Sequence, residues 1–265
     1  MSFSDTDTRD SEFILRTNGL SKKLCKNLKL SLRYGLSDIG KKLLGGKVSD
    51  ELRPKEFWAL QDVSFDLRKG ECMAILGRNG AGKSTLLRLI AGILQADHGE
   101  IDLRGTAKGI VSLGVGFDPF LTARENVFVN AALLGFTTRE IDRVYNDIVR
   151  FAELSEFMDT PVRYFSSGMH VRLGYAIVAQ LRPDVLLVDE VLAVGDEGFK
   201  KKCLGRIRQH TDYGAVMFVS HEMDLIREVA TSCLLLHKGK SIGVYDDVDE
   251  GIRVFEEDIM EVSPS

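Results

Sequence analysis

The sequence predicts an α/β fold: a parallel sheet covered by helices on both faces, with a helical lobe inserted between two of its strands. Three observations lead there. Short apolar runs without alternation, at Cys72–Leu76, Val185–Val188, Ala215–Val219 and Cys233–Leu236, read as strands shielded on both faces, as in a parallel sheet. Helical patterns separate these runs. The stretch from Leu121 to Gln180 has no comparable strand and reads as helical, with candidates at Ala123–Leu134 and Glu140–Phe157.

In chain order, residues 1–12 are polar and expected to be a flexible N-terminus. Phe13-Ile14-Leu15, followed by Arg16-Thr17, reads as a first strand. Trp58–Leu67 reads as a second, with two-residue alternation at Val63, Phe65 and Leu67. Between them, residues 22–56 form an insert. Its lysine-rich part places Leu28, Leu32, Leu36, Ile39 and Leu43 at helical spacing, interrupted at Gly35, and predicts one or two short basic amphipathic helices. Such a helix either packs on its own domain with its lysines in water, or meets lipid headgroups or a membrane partner. Residues 256–265 are expected to fray as a flexible tail.

Bulk properties narrow the function. The 265 residues suffice for one domain with an inserted lobe. A formal net charge of -4 opposes binding to a polyanion, so no nucleic-acid partner is expected. Cys25, Cys72, Cys203 and Cys233 are scattered, without a CxxC pair, and read as reduced thiols. No stretch approaches the roughly 18 continuous apolar residues of a membrane span, and Met1–Glu12 lacks a signal peptide's apolar region. A cytosolic chain is expected, reaching a membrane only through a partner or its own surface.

Gly77-Arg78-Asn79-Gly80-Ala81-Gly82-Lys83-Ser84-Thr85 matches GxxxxGK[ST], directly after an apolar strand and before a helical pattern. Glycines let backbone N–H groups converge on phosphates, and the following helix adds partial positive charge at its N-terminus. Lys83 is placed for β- and γ-phosphates, and the Ser84 hydroxyl for Mg²⁺. Asp189-Glu190 follows four apolar residues at a strand's C-terminal end, where such sheets bind ligands. Asp189 can then hold Mg²⁺ through water, and Glu190 can polarise an attacking water as general base. His221 ends another strand and is placed to hydrogen-bond the γ-phosphate, although a lone histidine is also commonly structural.

Phe165-Ser166-Ser167-Gly168-Met169 precedes a helical pattern and resembles the ABC signature, usually written LSGGQ. With the phosphate loop, Asp189-Glu190, Ala193-Val194-Gly195-Asp196 at the D-loop position and His221, the order from Phe13 to Phe255 resembles an ABC ATPase domain. The resemblance implies a P-loop NTPase fold over 13–255, with an N-terminal antiparallel β portion and a helical subdomain at about 118–180. It further implies head-to-tail pairing of two copies. Ser166, Ser167 and Gly168 then complete the partner's ATP site, although a plain helix cap would also explain the serines. Trp58 lies 25 positions before Lys83, where the family carries an adenine-stacking aromatic; a core tryptophan is the competing reading.

Glu56-Phe57-Trp58-Ala59-Leu60, Leu113-Gly114-Val115-Gly116-Phe117, Leu121–Asn126, Tyr164–Met169, and Asp189–Asp196 followed by Phe199 and Cys203 resemble the Wzt-like subfamily that exports O-antigen, teichoic acid or capsule. No glutamine lies between Val111 and Asn126, so the usual glutamine loop lacks its namesake, as in those relatives. The resemblance implies an ATPase on the cytoplasmic face of the inner membrane. It would drive an integral membrane permease, contacted near Leu113–Asn130, that exports a lipid-linked glycan. The alternatives are another cargo (drug, lipid or solute), or an ABC ATPase acting on DNA or ribosomes. The latter usually needs paired domains or long coiled-coil insertions, and no room is expected here for an appended carbohydrate-binding domain.

Overall fold

A computed structural model describes residues 13–43, 45, 51–110, 117–180, 182–189 and 197–260. Strand β1 (Phe13–Cys25) lies between β2 (Glu56–Arg68) and β4 (His98–Leu103), antiparallel to both, in a three-stranded sheet. Both β1 and β2 run further than their apolar patterns suggest, because bulges interrupt the alternation. Leu20 pairs with Val63 but Lys22 with Leu60, which leaves one extra residue on β2. Asp62 absorbs it at a left-handed φ of 57°, and its N–H donates to Ser21 Oγ at 2.9 Å.

The insert holds one continuous helix, α1 (Leu28–Leu43), not two pieces broken at Gly35. Asn27 starts it: its Oδ1 accepts the Leu30 N–H at 3.1 Å and its carbonyl accepts that of Ser31. A side chain at Gly35 would meet open space, so the glycine weakens the helix without marking a turn. Arg53 straps one face, bonding Asp38 and the Tyr34 carbonyl and covering the Tyr34 ring at 4.9 Å. Leu28, Leu32 and Leu36 face outward, with Leu28 76% exposed. The leucine stripe is therefore not what packs α1 on its domain.

Six further strands form the main sheet: β3 (Cys72–Leu76), β5 (Ala107–Ile110), β6 (Val185–Asp189), β7 (Ala215–Val219), β8 (Ser232–His237) and β9 (Lys240–Tyr245). Their order is β5-β6-β7-β3-β8-β9, parallel from β5 to β8, with β9 antiparallel at the edge. Burial on two faces explains the unbroken apolar runs. Cys72, Ala74 and Leu76 enter a core with Leu186, Val188, Phe218 and Phe199, while Met73 and Ile75 enter another with Leu187, Leu86 and Leu87. The first core rests on α6 (Glu197–Thr211), α7 (Met223–Val229) and α8 (Val248–Val254); the second rests on α2 (Lys83–Ile90). Beyond α8 the chain keeps winding as a π-helix, Phe255–Met260.

The helical lobe consists of α3 (Ala123–Leu133), α4 (Thr138–Ala152) and α5 (Ser167–Gln180), joined through short 3-10 turns at Ser155–Phe157 and Val162–Tyr164. Thr122 with Glu125 and Thr137 with Glu140 form capping boxes that start α3 and α4. Val127, Ile141, Ile148, Leu173 and Ile177 give the lobe its own core. The cysteines are free; Cys72, Cys203 and Cys233 are buried, and burial pushes the Cys72 thiol up to about 12. Among the described residues no helix is long and apolar enough to cross a membrane.

Candidate functional site

Strand order brings the chemistry together. Strands β6, β7 and β3 are consecutive neighbours, so Asp189 at the end of β6, His221 just past β7 and Gly77 just past β3 all lie at the C-terminal edge of the sheet. Asp189 is paired with Val219, two residues before His221. Ligands of parallel α/β sheets sit at this edge.

The loop after β3 is shaped by backbone proximity. Gly82 has φ 107°, and a Cβ there would come within 2.6 Å of the Ala59 carbonyl and 2.7 Å of Leu60 Cδ2. At Gly77 a Cβ would lie 2.5 Å from the Leu236 carbonyl. The loop is pinned from outside as well. The Gly239 N–H, in the β8–β9 turn, donates to the Ala81 carbonyl at 3.0 Å, and the Gly239 carbonyl accepts from Gln61 at 2.7 Å. Lys83 is buried, its ammonium donating to the carbonyls of Gly77 at 2.6 Å and Arg78 at 3.3 Å. Holding a cation against the loop's own carbonyls preorganises it for phosphate without letting it sweep through water.

Residues 79–85 line an open cleft of about 450 Å³ together with Leu24, Phe57 and Ala59. Gly77 and Arg78 lie just before the lining residues in the same loop. Trp58 does not line the cleft. Leu24 pairs with Phe57 and Lys23 with Trp58, so the two aromatics take opposite faces of β2. Phe57 faces the cleft; Trp58 stands between Lys23, whose ammonium is 4.8 Å from its ring, and His98, at 5.9 Å between ring centroids. The sequence expectation placed the adenine-stacking aromatic at Trp58; the aromatic that lines the cleft is its neighbour Phe57. Trp58 was singled out by its spacing before Lys83, which its neighbour Phe57 satisfies within one residue.

Ser166 caps α5: its Oγ accepts the Met169 N–H at 3.2 Å, while its carbonyl accepts from His170. Ser166 and Ser167 are exposed, and neither they nor Gly168 line the cleft around Lys83. Just past His221, Glu222 is ion-paired with Lys200 of α6, which holds the Lys200 ammonium above its usual range. Glu190, the D-loop residues Ala193–Asp196 and Leu113–Gly116 lie outside the described residues. Ser84 and Asp189 offer hard oxygen donors of the kind Mg²⁺ takes. Among the described residues no cluster of three or more His, Cys, Asp or Glu could hold a metal by itself.

Comparison with known proteins follows the same lines. A family model described as "ABC transporter" matches residues 60–193. The O-antigen export system ATP-binding protein RfbB of Klebsiella pneumoniae is 41% identical over 202 residues, covering 75% of this chain and 82% of that protein. The teichoic acids export ATP-binding protein TagH of Bacillus anthracis is 37% identical over 201 residues, covering 76% of this chain and 36% of that protein. Among solved structures, an ATP-binding subunit of an ABC transporter superposes with TM-score 0.70 at 22% identity, covering 91% of this chain and 93% of that one. The cassette MJ0796, solved as a dimer bound to ADP and Pi, gives 0.66 at 19% identity, covering 87% and 97%.

Proposed function

This chain belongs to the ABC transporter family of ATP-hydrolysing subunits, and from that premise we propose that it powers export of a lipid-linked polysaccharide. The observation that carries the cargo reading is the sequence likeness to RfbB and TagH over three quarters of the chain. Two copies pair head to tail, each phosphate loop facing the partner's α5. The support is geometric: the cleft around Lys83 is walled by its own loop with Leu24, Phe57 and Ala59, and Ser166, Ser167 and Gly168 of the same chain are not part of that wall.

In the closed pair, Gly77–Thr85 wrap the phosphates, with Lys83 on the β- and γ-phosphates and Phe57 against the base. Ser84, and Asp189 through water, would hold Mg²⁺, which would supply charge neutralisation at the phosphates. Glu190 takes a proton from the attacking water, and His221 donates to the γ-phosphate. From the partner, Ser166, Ser167 and the N–H groups at Gly168 approach the same phosphate. Hydrolysis removes the bridging group, and the pair reopens.

That cycle drives an integral membrane permease on the cytoplasmic face of the membrane, with the helical lobe near Phe117–Asn130 as the contact. α1, with Leu28, Leu32 and Leu36 outward beside Lys29 and Arg33, lies against the headgroup layer in this arrangement. Replacing the wild-type chain by Glu190→Gln in cells should make the lipid-linked glycan accumulate inside and vanish from surface labelling. Unchanged surface glycan, with loss of transport of another solute, would overturn the cargo.

A further inference from the structure

At the opposite edge of the main sheet, beside the starts of β5 and β6, a cleft of about 290 Å³ opens between the sheet and the helical lobe. Lys108 comes from β5, Arg143 from α4, and Arg182 from the connection between α5 and β6; Glu140 is the one acid among the lining residues. Three cations against one carboxylate leave a surplus of two positive charges, in a chain whose net charge is -4. Glu140 is already engaged, since both the N–H and the hydroxyl of Thr137 donate to its carboxylate. Lys108 donates to the Leu134 carbonyl at the end of α3 and stands 5.3 Å from the Phe136 ring, leaving further N–H donors of its ammonium to spare. Arg182 lies over the Tyr213 ring at 5.4 Å, while the charges of Arg143 and Lys108 both act on the Glu140 carboxylate. Arg206, bonded to the Ala179 carbonyl and to Gln180 Oε1, adds positive potential behind the cleft.

Two guanidinium forks and an ammonium around a single carboxylate, one already bonded to Thr137, suit a dianion: each fork presents paired N–H donors, and the excess positive charge is relieved when one arrives. The remaining walls are apolar, from Phe136, Val144 and Pro183. We infer that this cleft is a second ligand site, separate from the phosphate loop, that binds a small organic phosphate. Its phosphate rests on Lys108, Arg143 and Arg182, and its carbon portion on Phe136. Because both lobes supply the walls, an occupant ties the helical lobe to the sheet.

The test is calorimetric titration of the full chain, saturated with ADP, with phenyl phosphate and with inorganic phosphate at constant ionic strength. Saturable binding is expected, tighter for phenyl phosphate, and weakened about tenfold or more by Arg143→Ala or Arg182→Ala. Arg143→Gln serves as a second variant, and unchanged ADP affinity shows that each is folded. Lys83→Ala, titrated without ADP, should retain phenyl phosphate binding. Absence of saturable binding, equal affinity for the two phosphates, or loss in Lys83→Ala with retention in the arginine variants would each overturn the site.

Discussion

Asn126 and Asp118 hold each other twice: the Asp118 N–H donates to Asn126 Oδ1 at 2.8 Å, and Asn126 Nδ2 donates to the Asp118 carbonyl at 3.0 Å. The same Nδ2 reaches the carbonyls of Leu121 at 3.1 Å and Thr122 at 3.0 Å, and Asn126 is fully buried. One side chain thus closes the turn that feeds α3, on the lobe assigned to the permease. Asn126→Ala should cost about 2–4 kcal/mol, because it leaves buried backbone groups without partners. Denaturant unfolding reads this directly, and a loss below about 0.5 kcal/mol would show that water replaces the amide.

The opposite faces taken by Phe57 and Trp58 separate their roles. Phe57→Ala should weaken ATP binding roughly three- to tenfold, the worth of one aromatic stack, while Trp58→Ala should leave it within about twofold. Calorimetry of both variants decides, and the reverse order would return the stacking role to Trp58.

Gly82→Ala should remove ATP binding altogether. The new methyl would meet the Ala59 carbonyl at 2.6 Å while the backbone holds a left-handed φ. Binding at wild-type affinity would mean that the loop relaxes away from β2.

His210 is buried beneath Tyr213, whose hydroxyl lies 3.0 Å from Nδ1, and burial pushes it down to about 4 from an ordinary 6.5. The unfolded chain therefore binds this proton more readily than the folded one. Its stabilising share is full above pH 6.5 and is lost as pH falls toward 4, by up to roughly 3 kcal/mol. Unfolding midpoints measured between pH 7.5 and 4.5 should fall accordingly, and His210→Gln should flatten that slope. An equal slope in the variant would assign it to carboxylates instead.

Much of this was legible because the strongest signals are local. The apolar runs at Cys72–Leu76 and Ala215–Val219 need no partner knowledge to read as covered strands, and the phosphate loop announces itself by glycine spacing. The signature serines were legible only through resemblance, since as residues they are an ordinary helix cap. What escaped depended on long-range pairing. β4 and β5 are short and each carries polar or charged residues and a glycine, and they pair with the edges that β1 and β6 offer. Phe57 was missed because the family spacing before Lys83 points to its neighbour Trp58, and Asn126 because its partners are backbone groups that no side-chain pattern reveals. On α1, Arg53 from the far end of the insert bonds residues on both sides of Gly35, Tyr34 and Asp38, a pairing that no local pattern reveals.

The shared nucleotide site is tested most directly by sedimentation velocity of Glu190→Gln with saturating Mg-ATP. A two-copy particle is expected, one that Ser167→Arg abolishes while ATP binding at the Lys83 loop persists. A particle that stays single, or a pair indifferent to the residue at 167, would contradict the account.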